Sequence, residues 1–504
     1  MSTVYGEYAK DRSGWFLGMS GTQLMVALVA GFPVLAALNA NRWPLLAVWV
    51  PVWVLVVCLL VVPVRGRSAT GWLVAVVAHA LGGVMGWTSW QSKVAAGQPG
   101  NLAEADLPGV LAGVEIHDGP PFGAAMTRVA VIQDHAARTW AGTAKVTHPG
   151  IGFAETQARD RFGQALAELA EMASRSDIID RVTFTVRTVP DDGAERADWV
   201  RRHRRDDAPD LSRQVNQTLS AQLMPASVRH EAFVTVVGTE HRLAKAAGRS
   251  GRGISGRARV LYGALGEVGA RLESGLGATT VMWLDTAALA TAIRTGFAPG
   301  DRAALAAADL AGRHDPDVAT GVPLAAAGPS SANGADLRHY EHDAWASCSD
   351  TILLPDQGAV MGAIAPILAP STPGERRSLT VCYQVFPQHA ADRVTGREEA
   401  SADAGSGLRD RLGLAERARQ RRERAQVYST DDKLARGRAL VRATAVAAIT
   451  VPKTWEVAEF GRRLDESVRL AGFTPQRLDA AQPAAFVVAA IPLGVGMPQR
   501  RGIR

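Results

Sequence analysis

Two long runs without a charged residue lie near the start of the sequence: GTQLMVALVAGFPVLAAL at residues 21–38 and WPLLAVWVPVWVLVVCLLVVPV at residues 43–64. Only residues 39–42 separate them. A bilayer core about 30 Å thick requires roughly 20 apolar residues per spanning helix, and a backbone in lipid must satisfy its own hydrogen bonds. The runs therefore predict a two-helix transmembrane hairpin over residues 21–64. A pair of buried core helices is the alternative.

Basic residues on either side of the two runs predict how the hairpin is oriented. Lys10 and Arg12 precede it, Arg65 and Arg67 follow it, and Arg42 lies in the short turn. Lys and Arg in short loops accumulate on the cytoplasmic side of a membrane. We therefore expect a multi-pass protein of the plasma membrane with its termini and main domains in the cytoplasm.

Residues 68–92, SATGWLVAVVAHALGGVMGWTSWQS, leave the number of membrane spans open. The run is uncharged and long enough for a third span. However, it contains several glycines, serines and a histidine, and its large apolar residues recur at helical spacing. That pattern is typical of an amphipathic helix lying in the membrane interface. An interfacial helix is our prediction; a third span would place the rest of the chain outside the cell.

The 504-residue chain is longer than one ordinary domain. Strand-like runs rich in Val, Ile and Thr are interspersed with amphipathic helices, which predicts α+β domains with largely antiparallel sheets. The expected organisation is a cytoplasmic N-terminal segment at 1–20, the transmembrane hairpin at 21–64, an interfacial helix and linker at 65–100, a first α+β domain at 101–312, a flexible linker or loop at 313–334, a second α+β domain at 335–496 and a basic tail at 497–504.

Periodicity and breaker residues predict the individual elements. The predicted strands are 110–116, 127–133, 139–147, 182–189, 231–239, 279–284, 342–347, 351–354, 379–386, 439–450 and 484–491. The predicted helices are 153–174, 191–205, 211–223, 260–272, 285–295 with Asp285 as its cap, 358–368, 412–426 and 454–471.

Nucleotide-binding motifs are incomplete in this sequence. A P-loop requires Gly, four residues, Gly, Lys and then Ser or Thr, but the chain contains no Gly-Lys dipeptide. GRGISG at residues 251–256 matches GxGxxG, yet it follows a polar stretch where a dinucleotide site needs a strand. VMWLD at 281–285 resembles a Walker B strand, and without a P-loop it indicates a strand and a helix cap. No cofactor is predicted.

Metal-binding and nucleophilic motifs are also weak. His339 and His342 in HYEHD would share a metal on a helix, but on the expected strand they face opposite sides. Cys348 lies six residues from His342 without an activation signal, so we expect a buried, unreactive thiol. The chain has only two further cysteines, Cys58 and Cys382, which suits a reducing compartment. We predict no metal, no catalytic residue and no enzymatic activity.

Two basic runs and a net charge of +6 raise the question of anionic partners. The runs are RRHRR at 201–205 and RARQRRER at 417–424. A solvated helix face is the simplest interpretation, and contact with lipid or nucleic-acid phosphates is the alternative. Single-strand binding is unsupported, because no aromatic residues are interleaved. The candidate phosphate or lipid contacts are Arg65, Arg67, Arg417, Arg419, Arg421, Arg422 and Arg424.

Several motifs resemble type IV secretion and conjugation proteins of Gram-positive, especially actinobacterial, bacteria. YGEYAKDRSGWFLG at 5–18, followed by the hairpin and VRGRS at 64–68, resembles the PrgI-like small inner-membrane subunit. The rest resembles the N-terminal, non-motor region of the conjugation ATPase family. The stretches that carry this likeness are HYEHDAWASCSDTILLPDQGAV at 339–360, ERRSLTVCYQVFP at 375–387, the helix 454–471 with AGFTPQRL, and AQPAAFVVAAIPLG at 481–494.

The resemblance implies a function without the family's motor. The P-loop domain is expected after Gly494, and only ten residues follow that position. We therefore expect a non-catalytic inner-membrane scaffold, oligomeric within its complex, that binds lipid, a motor ATPase in trans and other secretion subunits. The alternatives are a type VII secretion membrane subunit, a membrane-bound enzyme with an unrecognised site, and a DNA-handling protein.

Overall fold

A computed structural model shows the fold in two compact units. The described residues are 4–5, 21–61, 63–64, 67–98, 100–123, 126–152, 154–190, 194–205, 207–223, 228–248, 251, 253–355, 358–388, 390–391, 393, 429–430 and 432–497. Of these, the larger unit contains residues 4–5, 89–391 and 434–497, and the smaller unit contains residues 21–88, 393, 429–430 and 432–433.

The described strands and helices have the following bounds. The strands are β1 (Val4–Tyr5), β2 (Pro63–Val64), β3 (Arg67–Ser68), β4 (Ser89–Gln91), β5 (Val114–Phe122), β6 (Thr127–Asp134), β7 (Thr139–Thr147), β8 (Ile179–Pro190), β9 (Val228–Thr239), β10 (Thr280–Trp283), β11 (Ser331–Asn333), β12 (Tyr340–His342), β13 (Trp345–Leu353), β14 (Ala359–Val360), β15 (Arg376–Val385), β16 (Val441–Pro452) and β17 (Thr474–Arg477). The helices are α1 (Gly21–Asn39), α2 (Trp43–Val61), α3 (Ala69–Val84), α4 (Thr156–Arg175), α5 (Ala194–His203), α6 (Asp210–Leu223), α7 (Glu240–Ala247), α8 (Gly253–Ser274), α9 (Thr286–Phe297), α10 (Arg302–Gly312), α11 (Val457–Leu470) and α12 (Gln482–Ala490), with 3₁₀ turns at Gly109–Leu111, Pro299–Asp301, Leu324–Ala326 and Ala365–Leu368.

One large antiparallel sheet organises the larger unit. Its strand order is β4-β11-β12-β13-β16-β15-β8-β9-β7-β6-β5, with β10 added beside β7 and β17 beside β13. The longest pairs are β8 with β9 and β15 with β16. Strands β15 and β16 are in register from Arg376↔Thr450 to Val385↔Val441. This confirms the predicted α+β class with a largely antiparallel sheet.

The stretches 101–312 and 335–496, which were expected to form two domains, contribute neighbouring strands to that sheet. β8 from the first stretch pairs with β15 from the second, from Ser378↔Arg187 to Gln384↔Arg181. Residues 313–334, the expected linker or loop, supply a 3₁₀ turn and β11, which pairs with both β4 and β12. Both stretches therefore fold against each other in one unit.

The sheet is covered by helices on both faces. Successive residues of β9 point into different cores, because strand side chains alternate: Phe233 and Val237 pack with α9 and α12, whereas Val234 and Val236 pack with α4 and α8. In β16 the alternate residues meet α12 on one side and α11 on the other. Strands buried on both faces are nearly continuous apolar runs.

Most predicted elements are confirmed in type, although their ends shift: the predicted strand 110–116 overlaps β5 only at 114–116, because residues 109–111 form a 3₁₀ turn. Two predictions are wrong. The run 484–491 was predicted as a final strand but is helix α12, whose residues from Ala484 to Ala490 are all buried. A short apolar run does not distinguish a buried strand from a buried helix, and Pro483 in the first turn suits a helix. The predicted helix 358–368 forms only β14 and a 3₁₀ turn, since Gly362 has φ +89°.

Other elements differ in detail from the sequence predictions. The two strands predicted at 342–347 and 351–354 form β12 and the single strand β13. Helices α7 and α10 and strand β17 were not predicted. The predicted helix 412–426 lies outside the described residues.

A buried ion cluster joins the strands to the helices above them. Glu231 on β9 accepts from Lys145 on β7 (3.0 Å) and from Arg187 on β8 (3.1 Å). Arg187 also donates to the Ala292 carbonyl of α9 (2.8 Å) and to Thr295 Oγ1 (2.9 Å). Charged groups removed from water are tolerated only when they are paired, so this cluster holds α9 in place on the sheet.

Replacing Glu231 by Gln should destabilise the protein and change its response to acid. Burial alone raises the pKa of Glu231, but Arg187 and Lys145 outweigh it and lower that pKa to about 2, below the ordinary 4.5. The stabilisation is therefore complete above pH 4.5 and is lost as the pH falls towards 2. At pH 7 we expect Glu231→Gln to cost about 3–5 kcal/mol in the free energy of unfolding.

Denaturant unfolding at several pH values measures this effect. The matched control is Glu273→Gln, because Glu273 lies exposed on α8, and it should leave the stability unchanged. A Glu231→Gln variant as stable as the native protein at pH 7 would show that the cluster contributes nothing.

Candidate functional site

The helix pair of the smaller unit has its polar contacts between the helices. Trp53 Nε1 on α2 donates to the Ala27 carbonyl on α1 (2.9 Å), and Gln23 Nε2 donates to the Leu60 carbonyl (3.3 Å). Gly31 permits this close approach, because a Cβ there would lie 3.0 Å from Trp53 Nε1. Small residues at such contacts are typical of helices packed in membranes.

The large apolar side chains of the same pair point away from the helix contact. Phe32 on α1 is 70% exposed and Leu55 on α2 is 59% exposed. The other exposed large apolar residues of α1 and α2 are Met25, Val26, Leu28, Val29, Leu35, Leu38, Trp43, Leu45, Val48, Trp49, Val50, Val52, Val54 and Leu59. A contiguous apolar surface of this kind marks an interaction site for a membrane or another protein.

Length and composition distinguish the three apolar helices. Among the described residues, Trp43–Leu60 of α2 is the one helical segment long and apolar enough to cross a membrane. Met25–Asn39 of α1 and Ala75–Val84 of α3 are shorter apolar helices. One such segment does not by itself establish a membrane protein, so the hairpin and the multi-pass arrangement stay predictions.

Helix α3 coincides with the predicted interfacial segment. Its 16 residues span about 24 Å at 1.5 Å per residue, which is less than the roughly 30 Å of a bilayer core. Val76, Val77, Leu81 and Val84 are exposed on it. Its length favours the interfacial interpretation over a third span.

The predicted phosphate or lipid contacts fall largely outside the described residues. These are Arg65, Arg417, Arg419, Arg421, Arg422 and Arg424. Arg67 lies in β3, where its backbone pairs with Val64. Since Arg67 is the one described member of this set, contact of these arginines with phosphate stays a prediction.

Residues 253–256 of the GxGxxG match form the start of helix α8. Helix α7 precedes it, where a dinucleotide site requires a strand. Gly256 is needed for packing, because a Cβ there would lie 1.7 Å from the Gly251 carbonyl oxygen. The strand and cap predicted around VMWLD are confirmed: Asp285 accepts from the Ala288 amide (2.8 Å) at the start of α9.

The two histidines of HYEHD diverge, as the strand interpretation requires. His342 is fully buried: its Nδ1 lies 2.6 Å from the Phe297 carbonyl oxygen and its Nε2 lies 2.8 Å from Ser347 Oγ. His339 instead contacts Asp336 and Glu341 near the surface. Within the described part of the chain, no three His, Cys, Asp or Glu side chains are grouped to hold a metal ion.

The hydrogen bond between His342 and Ser347 is oriented like that between a general base and a nucleophile, but both residues are buried away from any substrate. A carbonyl only accepts, so Nδ1 carries the proton towards Phe297 and Nε2 accepts from the Ser347 hydroxyl. Ser347 Oγ also lies 2.7 Å from Thr450 Oγ1, and the imidazole stacks on Phe486. Burial lowers the pKa of His342 to about 3. We interpret the pair as a structural link between β12, β13, β16 and α9.

A second buried polar cluster surrounds Arg477 on β17. Its guanidinium lies 2.6 Å from Cys348 Sγ, 3.0 Å from Asp350 Oδ1 and 2.8 Å from Asp465 Oδ1. Burial raises the pKa of the Cys348 thiol to about 11. Burial and the neighbouring Asp465 also raise the pKa of Asp350, although Arg477 acts in the opposite direction. The buried thiol predicted at Cys348 is confirmed, and protonation makes it a poor nucleophile.

A surface cavity of about 300 Å³ lies beside Arg294 and Asp301. Arg294 is already paired with Asp301 (2.7 Å) and Asp343 (3.1 Å), and donates to the Gly328 carbonyl (2.8 Å). Its charge is therefore balanced before any ligand enters. Sequence reasoning missed this cavity, because its wall joins residues from 92 to 330 that only the fold brings together.

Replacing His342 by Gln should remove a pH dependence of stability. The pKa of His342 lies near 3 in the folded state, below the ordinary 6.5. Its stabilisation is therefore complete above pH 6.5 and is lost as the pH falls towards 3, at up to about 1.4 kcal/mol per pH unit. Between pH 6.5 and 4.5, the native free energy of unfolding should decrease more steeply than that of His342→Gln.

Unfolding curves across this range, with His241→Gln as the matched control, check the prediction. His241 is exposed on α7, so its variant should keep the native slope. Equal slopes for the native protein and His342→Gln would contradict the neutral, buried imidazole.

Comparison with known proteins adds no relative on which to base a function. No family model matches the chain, and no curated protein sequence matches it significantly. The resemblance to secretion and conjugation proteins therefore rests on the quoted motifs and stays a prediction.

Proposed function

We propose that this protein is a non-catalytic, membrane-anchored scaffold of a type IV secretion or conjugation apparatus. The observation that carries the proposal is the helix pair α1–α2, whose apolar side chains face outward while its polar contacts lie between the helices. The larger unit has the opposite arrangement, with apolar cores on both faces of its sheet. One chain thus combines a part suited to lipid with a part suited to water.

The dimensions of the helix pair support the anchor. Helices α1 and α2 each contain 19 residues, or about 28 Å of helix, close to the roughly 30 Å of a bilayer core. Neither contains a charged residue, and a helix satisfies its backbone in lipid. The proposed topology is multi-pass in the plasma membrane, with both termini and the larger unit in the cytoplasm, as the flanking basic residues suggest.

The motifs that resemble the conjugation ATPase family lie on strands and a helix at the centre of the larger unit, which supports a scaffold role. Residues 339–360 contain β12 and β13, residues 375–387 contain β15, and residues 481–494 contain the buried helix α12. These elements build the centre of the fold. The proposed partners, a motor ATPase in trans and other membrane subunits of the apparatus, would dock on the surface of this frame.

The anchor can be tested by adding charge to the exposed face of α2. Val48→Asp with Leu55→Asp should release the protein from membranes on alkaline carbonate extraction, since each Asp near a helix centre costs about 2.5–3.5 kcal/mol on insertion. The matched control is Leu102→Asp with Leu470→Asp, at two exposed leucines of the larger unit. This variant should stay with the membranes on extraction. A native protein found in the carbonate supernatant would contradict the anchor.

The scaffold role can be tested by purifying the intact chain from its own cells in mild detergent. Quantitative mass spectrometry should find a P-loop motor ATPase and conjugation-type membrane subunits in fixed ratio to it. Type VII secretion subunits in their place would favour that alternative. Membrane retention without any motor ATPase would leave the anchor intact and overturn the scaffold.

A further inference from the structure

Helix α6 presents an apolar stripe that the described chain does not cover. Every residue from Asp210 to Leu219 is exposed. Leu211, Val215 and Leu219 are 72%, 49% and 42% exposed, and their spacing of four places them on one side of the helix. A surface helix of a globular protein normally turns such a stripe towards a core, so this stripe is suited to an external partner.

The polar side of α6 indicates what that partner is. It consists mainly of Ser, Thr, Asn and Gln, and its Arg213 is paired with Asp210. Helices that pair with another helix usually carry complementary charges beside the apolar seam, which α6 lacks. A helix that lies at the boundary between lipid headgroups and acyl chains carries residues such as Leu on one side and is flanked or faced by Lys and Arg. Helix α6 provides the apolar side, and residues 201–205 before it provide the arginines.

The end of α5 and the two residues after it provide cations and an aromatic side chain, and six residues separate α5 from α6. Arg201, Arg202, His203, Arg204 and Arg205 are all exposed. Arg205 is paired with Asp207 (2.7 Å), and Trp199, itself exposed, stacks on His203. Trp favours the membrane–water interface, and arginines near an anionic leaflet are attracted to it.

We propose that α6 and the basic end of α5 form a peripheral binding surface for an anionic lipid bilayer. This surface is called the α5–α6 patch. The apolar stripe would lie at the acyl boundary and the arginines would contact lipid phosphates. Nucleic acid fits less well, since phosphate contacts give no role to an aliphatic stripe. The inference rests on the proposed anchor, which would hold the chain at a bilayer.

Hydrogen exchange in lipid nanodiscs tests the patch on the full chain. Discs of phosphatidylcholine alone are compared with discs containing phosphatidylglycerol. Exchange across 210–223 should be slower with phosphatidylglycerol, by about five-fold for each arginine that reaches the surface. Arg201→Gln/Arg202→Gln/Arg204→Gln and, separately, Leu211→Ser/Val215→Ser/Leu219→Ser should each abolish that lipid dependence.

The matched control is Arg462→Gln with Arg469→Gln, two exposed arginines of α11, which should keep the full lipid dependence. Unchanged exchange in β8 and β9 shows that each variant is folded. Equal exchange in both kinds of disc overturns the patch. Slower exchange of 210–223 in detergent on adding duplex DNA would also overturn the patch, because it would indicate nucleic acid as the partner. Exchange of 210–223 that slows with protein concentration in detergent would overturn it too, because it would indicate a second copy of the chain. Carbonate extraction reports separately on the anchor.

Discussion

The pairing of β8 with β15 is the constraint on which the larger unit depends. It joins strands nearly two hundred residues apart into one sheet, so that Thr185 and Thr380 lie within hydrogen-bond distance across the seam. Because both faces of this sheet are covered by helices, its strands need apolar side chains in both directions. The two stretches on either side of residues 313–334 thus share their cores.

Polar side chains inside this frame serve to attach helices to strands. Arg187 and Glu231 bind α9 to the sheet, His342 links the end of α9 to β12 and β13, and Arg477 links β17 to α11. Arg187, Glu231 and His342 are buried, Arg477 is partly buried, and each is paired, since an unpaired buried charge is expensive. The Ser347 hydroxyl, the His342 imidazole and the Glu231 carboxylate therefore connect elements of the fold.

The smaller unit reverses this arrangement, and the reversal supports the proposed function. Trp53 and Gln23 direct their donors between α1 and α2, and the aliphatic side chains point outward. In water that surface would be costly, because apolar area is stabilised by removal from water. In lipid the same surface costs nothing, and the helices satisfy their own backbone. The proposed scaffold combines this unit and the unit built on the large sheet in one chain.

The sequence by itself determined whatever depends on local pattern: the charge-free helices α1 and α2, the strands β7 and β8, and the Asp285 cap. Each follows from spacing or composition over a few neighbouring residues. Tertiary structure decided that 484–491 is the buried helix α12 and that Glu231 meets Arg187. It also left the apolar stripe of α6 uncovered by the rest of the described residues. These outcomes depend on which distant surfaces meet, and local periodicity carries no information about that.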